Sequence, residues 1–349
     1  MASSRKRRIA RQLLRLARQS AARWRTTDIP AGVVGLGLMG TSITACLLAA
    51  GHPVVGVSKD LNERLTRRRL LDLLRGMKRE KLLAGHPTSI VKNLVLSEDS
   101  SALSDCQVVV ESVVEQLAVK HEVFRAIEAV VRPDAIIGSN TSAIPVTILQ
   151  KGLLNPERFL GIHWGEPAHI SRFMEIICGD QTDLRYAERA RALAENWNKE
   201  PSLVRRDIRG FITNRCFYAL LREAFYLVDN GYCTIEDVDR SLRNDYGYWI
   251  TFAGPFRFMD LTGIPAYRMV MEGLLPELSC SKEVPASMQR VVDSGARGVA
   301  NAKGFYSYTP QEARRWERRF LQFSYDIRAL ALKYADERQS KSHKVRRRT

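Results

Sequence analysis

Residues 31–57 read AGVVGLGLMGTSITACLLAAGHPVVGV, and the fold turns on them. A short apolar run, a glycine-rich turn, an amphipathic helix ending at Gly51 and a second β-rich run follow in order. Gly35, Gly37 and Gly40 form G-x-G-x-x-G at the strand-to-helix junction. In that setting the first glycine permits the tight turn, the second lets backbone approach a pyrophosphate, and the third allows close helix–strand packing. The helix start then presents free N–H groups and the positive end of its dipole. Gly35, Leu38, Met39 and Gly40 are therefore expected to hold the phosphates of a dinucleotide.

Working outward, the alternation continues. A charged helix over 61–84 precedes a short strand at 94–96, a buried strand QVVVESVV over 107–114, a helix over 117–131 and a strand near 135–138. Strand–helix alternation of this kind builds a parallel sheet, so the first domain reads as α/β and Rossmann-like. Ligands bind at the C-terminal strand ends of such sheets, which makes Glu115 a candidate pocket residue. An acid normally ends the second strand to receive the ribose hydroxyls of NAD. Ser58 and Lys59 stand there instead, with Arg64, Arg67 and Arg68 beyond. A hydroxyl and an ammonium suit the extra phosphate of NADP, so the local sequence leans that way. The competing reading has Asp60 as the acid and the arginines as a solvated helix face.

The stretch 135–179 carries the chemistry. Three apolar runs, A-I-I-G, F-L-G-I-H-W and F-M-E-I-I-C, read as strands. Ser139, Asn140, Thr141 and Ser142 end the first, His163 lies near the end of the second, and Glu175 interrupts the third. A carboxylate inside an apolar strand needs a partner. A hairpin centred near His169 sets His163 opposite Glu175 and makes a candidate His–carboxylate pair. These two strands add an antiparallel element to the parallel sheet.

After a helix over 183–197 and a strand over 202–205, helical periodicity takes over at Gly210. FITNRCFYALLREAFYLVDNG reads as a long amphipathic helix, and Thr234, Glu236 and Asp237 open another. The expected layout is a basic extension over 1–28, a dinucleotide domain over 29–208, a helical domain over 209–310 and a C-terminal helix with a basic tail over 311–349. The net charge of +16 resides in the tails: residues 1–25 hold +9 and residues 338–349 hold +6, leaving +1 for the body. The body thus gives no charge-based case for a nucleic-acid partner. No apolar run is long enough to span a membrane. The six cysteines show no C-x-x-C or metal-ligand spacing. They read as reduced thiols in an intracellular, cytoplasmic protein with no bound metal. The Arg-rich start also fits an organellar targeting segment, but a solvated extension is expected.

The motifs together resemble the 3-hydroxyacyl-CoA dehydrogenase family over 31–310. The matching pieces are GLGLMG at 35–40, VVVESVVEQLAVK at 108–120, SNTS at 139–142, the His163 and Glu175 pair, GFITNR at 210–215, GPF at 254–256 and GFYSY at 304–308. The resemblance implies an NAD(P)-dependent oxidoreductase with a Rossmann-like domain and a helical domain that forms a homodimer. By position it implies His163 as general base, Glu175 as the group orienting it, and Ser142 and Asn214 as hydrogen-bonding partners of the reacting oxygen. Asn140 and Glu115 fall on the cofactor side.

Two positions depart from the family pattern. The family reads H-F-F-N-P where this chain reads His163-Trp164-Gly165-Glu166-Pro167, and Ser58 replaces the usual acid. Glu166 suits a polar or cationic substrate group better than a thioester carbonyl. The runs SNTSAIPVTILQ, HWGEPAHI and YALLREAFYLVDNG are also similar to those of 5-formyl-3-hydroxy-2-methylpyridine-4-carboxylate dehydrogenases. The substrate is therefore expected to be an acyl-CoA or a small hydroxy or aldehyde compound. Three alternatives stand beside this one. They are a 6-phosphogluconate-type dehydrogenase, an inactive dinucleotide-binding member, and an enzyme tethered by its basic tails to membrane or nucleic acid.

Overall fold

The computed structural model describes residues 29–335; the expectations for the basic segments 1–28 and 338–349 lie outside them. Two compact units divide the chain, one ending at Arg215 and the other starting at Cys216.

The first unit is built on an eight-stranded sheet. Its strands are β1 (Ala31–Val34), β2 (Val54–Val57), β3 (Leu94–Ser97), β4 (Val108–Glu111), β5 (Ile136–Ser139), β6 (Phe159–Trp164), β7 (Phe173–Ile177) and β8 (Glu200–Val204). They lie in the order β3-β2-β1-β4-β5-β6-β7-β8. The order reverses beside β1, the switch point at which doubly wound sheets open a crevice for ligands. Strands β1, β4 and β5 are buried throughout, which explains their continuous runs of Val and Ile. Their side chains feed two core layers, one holding Ile43, Leu47, Leu70 and Leu74 and the other Phe124, Ile127 and Phe159.

Among these eight strands only β6 and β7 pair antiparallel, in the register Gly161–Ile177, Ile162–Ile176, His163–Glu175 and Trp164–Met174. The facing of His163 and Glu175 expected from sequence is what the sheet shows. β8 then returns parallel to β7 through the helix Leu184–Asn196.

Several sequence boundaries shift by a few residues, two of them with a visible cause. The strand expected to reach residue 114 leaves the sheet after Glu111, because the Glu111 carboxylate takes the Val113 N–H at 2.7 Å and turns the chain. The helix expected over 61–84 occupies Glu63–Arg79, starting where the Asn62 side chain accepts from Leu65 N–H.

From Thr213 onward the chain is helical, with Thr213–Asp229, Ile235–Asn244, Pro255–Thr262, Ile264–Leu274, Ala286–Asp293 and Pro310–Lys333 as the main elements. Thr234 caps the second of these by accepting from Asp237 N–H. The last begins with a reciprocal capping box between Thr309 and Glu312. Among the described residues beyond Cys216, only Ala253, Ala313 and Tyr325 are buried. No helix among the described residues is long and apolar enough to cross a membrane.

Candidate active site

Glycines shape the dinucleotide seat. Gly35 has φ +92°, and a Cβ there would lie 2.6 Å from the Ser112 main-chain oxygen. At Gly40 a Cβ would fall 1.7 Å from the Gly35 oxygen, so turn and helix touch backbone to backbone. At Gly37 the same atom would meet nothing within 4 Å. The helix Leu38–Ala49 starts from Gly37 with no acid in its first turn and no side-chain cap. The amides of Leu38, Met39 and Gly40 therefore have no acceptor within the helix. An open, acid-free helix start of this kind fits a pyrophosphate.

The ribose end differs from the phosphate-binding arrangement that Ser58 and Lys59 suggested. The Lys59 ammonium pairs with Glu122 at 2.7 Å, both side chains largely exposed. Arg67 pairs with Glu63 at 2.8 Å along its own helix. Both cations already have carboxylate partners, an arrangement that neutralises part of the charge a second phosphate would use. Sequence reading missed Glu122 because it lies on another helix.

The candidate base, His163, is set by the β6–β7 register. His163 Nδ1 lies 2.9 Å from Glu175 Oε2, and His163 Nε2 lies 3.1 Å from Ser142 Oγ. Glu175 is 1% exposed. Its second oxygen accepts from the N–H groups of Ile212 and Thr213 at 3.0 and 2.9 Å, at the start of the helix Thr213–Asp229. Burial pushes the Glu175 carboxyl up, but the bonds from His163, Thr213 and Ile212 outweigh it and hold the pKa below the ordinary value. A carboxylate only accepts hydrogen bonds, so Nδ1 carries the proton that faces it. In the neutral ring Nε2 then holds the lone pair and accepts from the Ser142 hydroxyl. Phe173 and Phe211 flank the imidazole with ring centroids 5.4 and 5.7 Å away.

Ser142 is held by a network that the sequence barely announced. Glu115 accepts from Thr141 Oγ1 at 2.5 Å and from the N–H groups of Ser142 and Ala143 at 3.0 and 3.1 Å. Burial raises the Glu115 pKa, but Thr141, Lys120 and Ala143 together leave it lowered. Lys120, 1% exposed, bridges Glu115 at 3.2 Å and the fully buried Glu111 at 2.7 Å. Glu111 also accepts from Ser139 Oγ at 2.6 Å. The available signal was an acid inside the apolar run VVVE, followed nine residues on by a lysine. Asn140 also belongs to this frame: its Oδ1 accepts from Trp164 N–H at 2.9 Å and its Nδ2 donates to Ser112 Oγ at 3.3 Å. Asn214 Nδ2 donates to the Ser142 carbonyl at 3.0 Å, which leaves its second N–H for another acceptor.

Glu166 is exposed on the loop that joins β6 to β7, and its peptide bond to Pro167 is cis. Buried groups hold that loop from beneath. Lys199, 4% exposed, donates to the carbonyls of Ala168 and Ser171 and lies 4.9 Å from the centre of the Trp164 ring. His169 Nδ1 meets Ser42 Oγ at 2.8 Å and so ties the loop to the dinucleotide helix. Burial, with the Lys199 charge adding to it, pushes the His169 pKa down to about 4.

A doubly wound sheet with a glycine-rich turn, and an imidazole whose free nitrogen faces a hydroxyl, defines a nicotinamide-dependent oxidoreductase. The chain belongs to the 3-hydroxyacyl-CoA dehydrogenase family: residues 30–208 match its NAD binding domain and residues 210–308 its C-terminal domain. It is 32% identical to 5-formyl-3-hydroxy-2-methylpyridine 4-carboxylate 5-dehydrogenase of Mesorhizobium japonicum, over 81% of this chain and 91% of that protein. It is 31% identical to a probable 3-hydroxybutyryl-CoA dehydrogenase of Deinococcus radiodurans, over 79% and 99% respectively. Among solved structures, an NAD+-dependent dismutase, 5-formyl-3-hydroxy-2-methylpyridine 4-carboxylic acid 5-dehydrogenase, superposes with a TM-score of 0.81 at 29% identity, covering 86% of this chain and 98% of that one.

Proposed function

We propose that this protein uses NAD to interconvert a small hydroxy or hydrated aldehyde compound and its carbonyl, with His163 as the proton-transferring base. The observation that carries the reading is the placement of His163, with Glu175 at Nδ1 and the Ser142 hydroxyl at Nε2. Bound NAD would supply the hydride acceptor, its pyrophosphate resting on Gly35, Leu38, Met39 and Gly40. Asn140 and Glu115 would border its nicotinamide half. In oxidation the substrate hydroxyl gives its proton to Nε2 while Ser142 and the free N–H of Asn214 hold its oxygen. Glu175 stabilises the imidazolium that forms, by a charge-assisted hydrogen bond. In reduction the same proton returns.

NAD rather than NADP is favoured at the ribose end, because Lys59 is paired with Glu122. Glu166 stands as the specificity-determining residue and favours a small polar substrate over an acyl-CoA. The chain is read as domains over 29–208 and 209–310 with a C-terminal helix beyond. It is further read as a cytoplasmic homodimer joined through the helical domain. The apolar surface there supports the dimer: Phe256, Leu261 and Met269 are 79%, 62% and 70% exposed.

Titration with NADH and NADPH, followed by a screen of acetoacetyl-CoA, free 3-oxo acids and aromatic aldehydes, tests the proposal. NADH binding with turnover of a free acid or aldehyde supports it. NADH binding with no carbonyl reduced would mark an inactive member, and turnover of acetoacetyl-CoA alone would overturn the substrate reading.

A further inference from the structure

Arg209 has no part in the site described so far. It lies on the turn after β8, is exposed, and donates from Nη1 to the main-chain oxygen of Ala143 at 3.3 Å. Ala143 follows Ser142, whose hydroxyl meets His163 Nε2, so the guanidinium is anchored on the residue next to the one that faces the imidazole.

The turn is shaped to hold it there. Gly210 and Phe211 have φ of +80° and +53°, and a left-handed phenylalanine is sterically disfavoured. Phe211 is nevertheless 1% exposed and packs on the His163 ring. Arg209 directly precedes this turn. Its neighbour Asp207 accepts from Thr147 N–H through Oδ2 at 2.8 Å, and its buried Oδ1 makes no bond to Arg209. Arg209 makes no ion pair with a carboxylate among the described residues, and the bond to Ala143 uses one of its five N–H donors.

We propose that Arg209 binds a free carboxylate of the substrate, two or three bonds from the carbon that exchanges hydride. The inference rests on the dehydrogenase reading above and narrows its substrate class to small carboxylic acids. A planar fork of donors matches a carboxylate and gains little from an ester or thioester at the same place. Charge-assisted bonding at a partly solvated rim is worth about 10- to 100-fold in kcat/KM, mostly through KM.

The test compares wild type, Arg209→Gln and Arg206→Gln with NADH on acetoacetate, methyl acetoacetate, 2-formylbenzoate, its methyl ester and acetoacetyl-CoA. Arg206 is an exposed neighbour and controls for general charge. Arg209→Gln is expected to lose about 10- to 100-fold on the two free acids and less than about threefold on the esters, with NADH affinity intact. Arg206→Gln is expected to stay near wild type on all five. Equal losses on acids and esters, a loss confined to acetoacetyl-CoA, or no loss at all would overturn the proposal. A binding arm needs no turnover: acetoacetate should bind the Arg209→Gln–NADH complex at least about tenfold more weakly than the wild-type complex. If wild type binds NADH but reduces none of the five, the dehydrogenase reading fails, and the binding arm still decides the role of Arg209.

Discussion

Replacing Glu175 with Gln changes one atom and should invert the chemistry of His163. The native carboxylate faces two main-chain donors with Oε1 and the imidazole with Oε2. In the variant, the N–H groups of Ile212 and Thr213 still demand an oxygen. The amide must therefore turn its NH2 towards His163 Nδ1. Nδ1 then accepts, the ring proton moves to Nε2, and the lone pair that takes the substrate proton is gone. Restoring the working tautomer sets donor against donor, at a cost of about 1–3 kcal/mol. Losing the charge-assisted bond to the imidazolium costs about 1.5–3 kcal/mol more. Together these lower kcat by roughly 10²- to 10⁴-fold. Folding should suffer little, since both main-chain donors keep their acceptor. Single-turnover oxidation of NADH, followed by its absorbance, reads the loss, and a melting curve reads the control. A Glu175→Gln enzyme within about fivefold of wild type in kcat would refute the tautomer argument.

Other expected outcomes address the cofactor seat and the loop. Gly37→Ala should fold normally, because its Cβ meets nothing, yet weaken NADH binding by about tenfold or more as the methyl enters the pyrophosphate space. Gly40→Ala should fail to fold stably, since its Cβ would press on the Gly35 carbonyl; melting temperature and NADH titration separate the two. His169 bears on acid stability. Its folded pKa of about 4 lies below the ordinary value near 6.5, so the unfolded chain takes up the proton first as pH falls. Stability is thus lost from about pH 6.5 downwards, by about 2 kcal/mol between pH 7 and pH 5 from this group. Urea unfolding at both pH values should show a smaller drop in His169→Asn than in wild type, and an equal drop would contradict the assignment. Glu175 acts in the same sense but at lower pH. Its depressed pKa contributes stability above the carboxylate range that disappears only as pH falls through that pKa.

Much of this was legible in the sequence. The G-x-G-x-x-G turn declares itself because glycine alone tolerates the contacts at positions 35 and 40. The His163–Glu175 pair follows from the period of a strand: once a hairpin is granted, residue numbers fix who faces whom. The groups around it did not follow, because they meet by tertiary contact. Nothing in the helix sequence marks Lys120 as buried, yet it lies between Glu111 and Glu115 and so fixes the turn that bears Ser142. Lys199 and His169 look like surface residues and instead lie beneath the loop of Glu166. Lys59 misled for the same reason, since Glu122, far along the chain, takes its charge.

In the proposed reaction His163 moves the substrate proton without helping to bind the cofactor. Hydride transfer from NADH in a single turnover, measured beside the NADH dissociation constant in wild type and His163→Ala, tests it most directly. An unchanged dissociation constant and a transfer rate lowered by at least about 10³-fold are expected for His163→Ala. Transfer within about tenfold of wild type would contradict it.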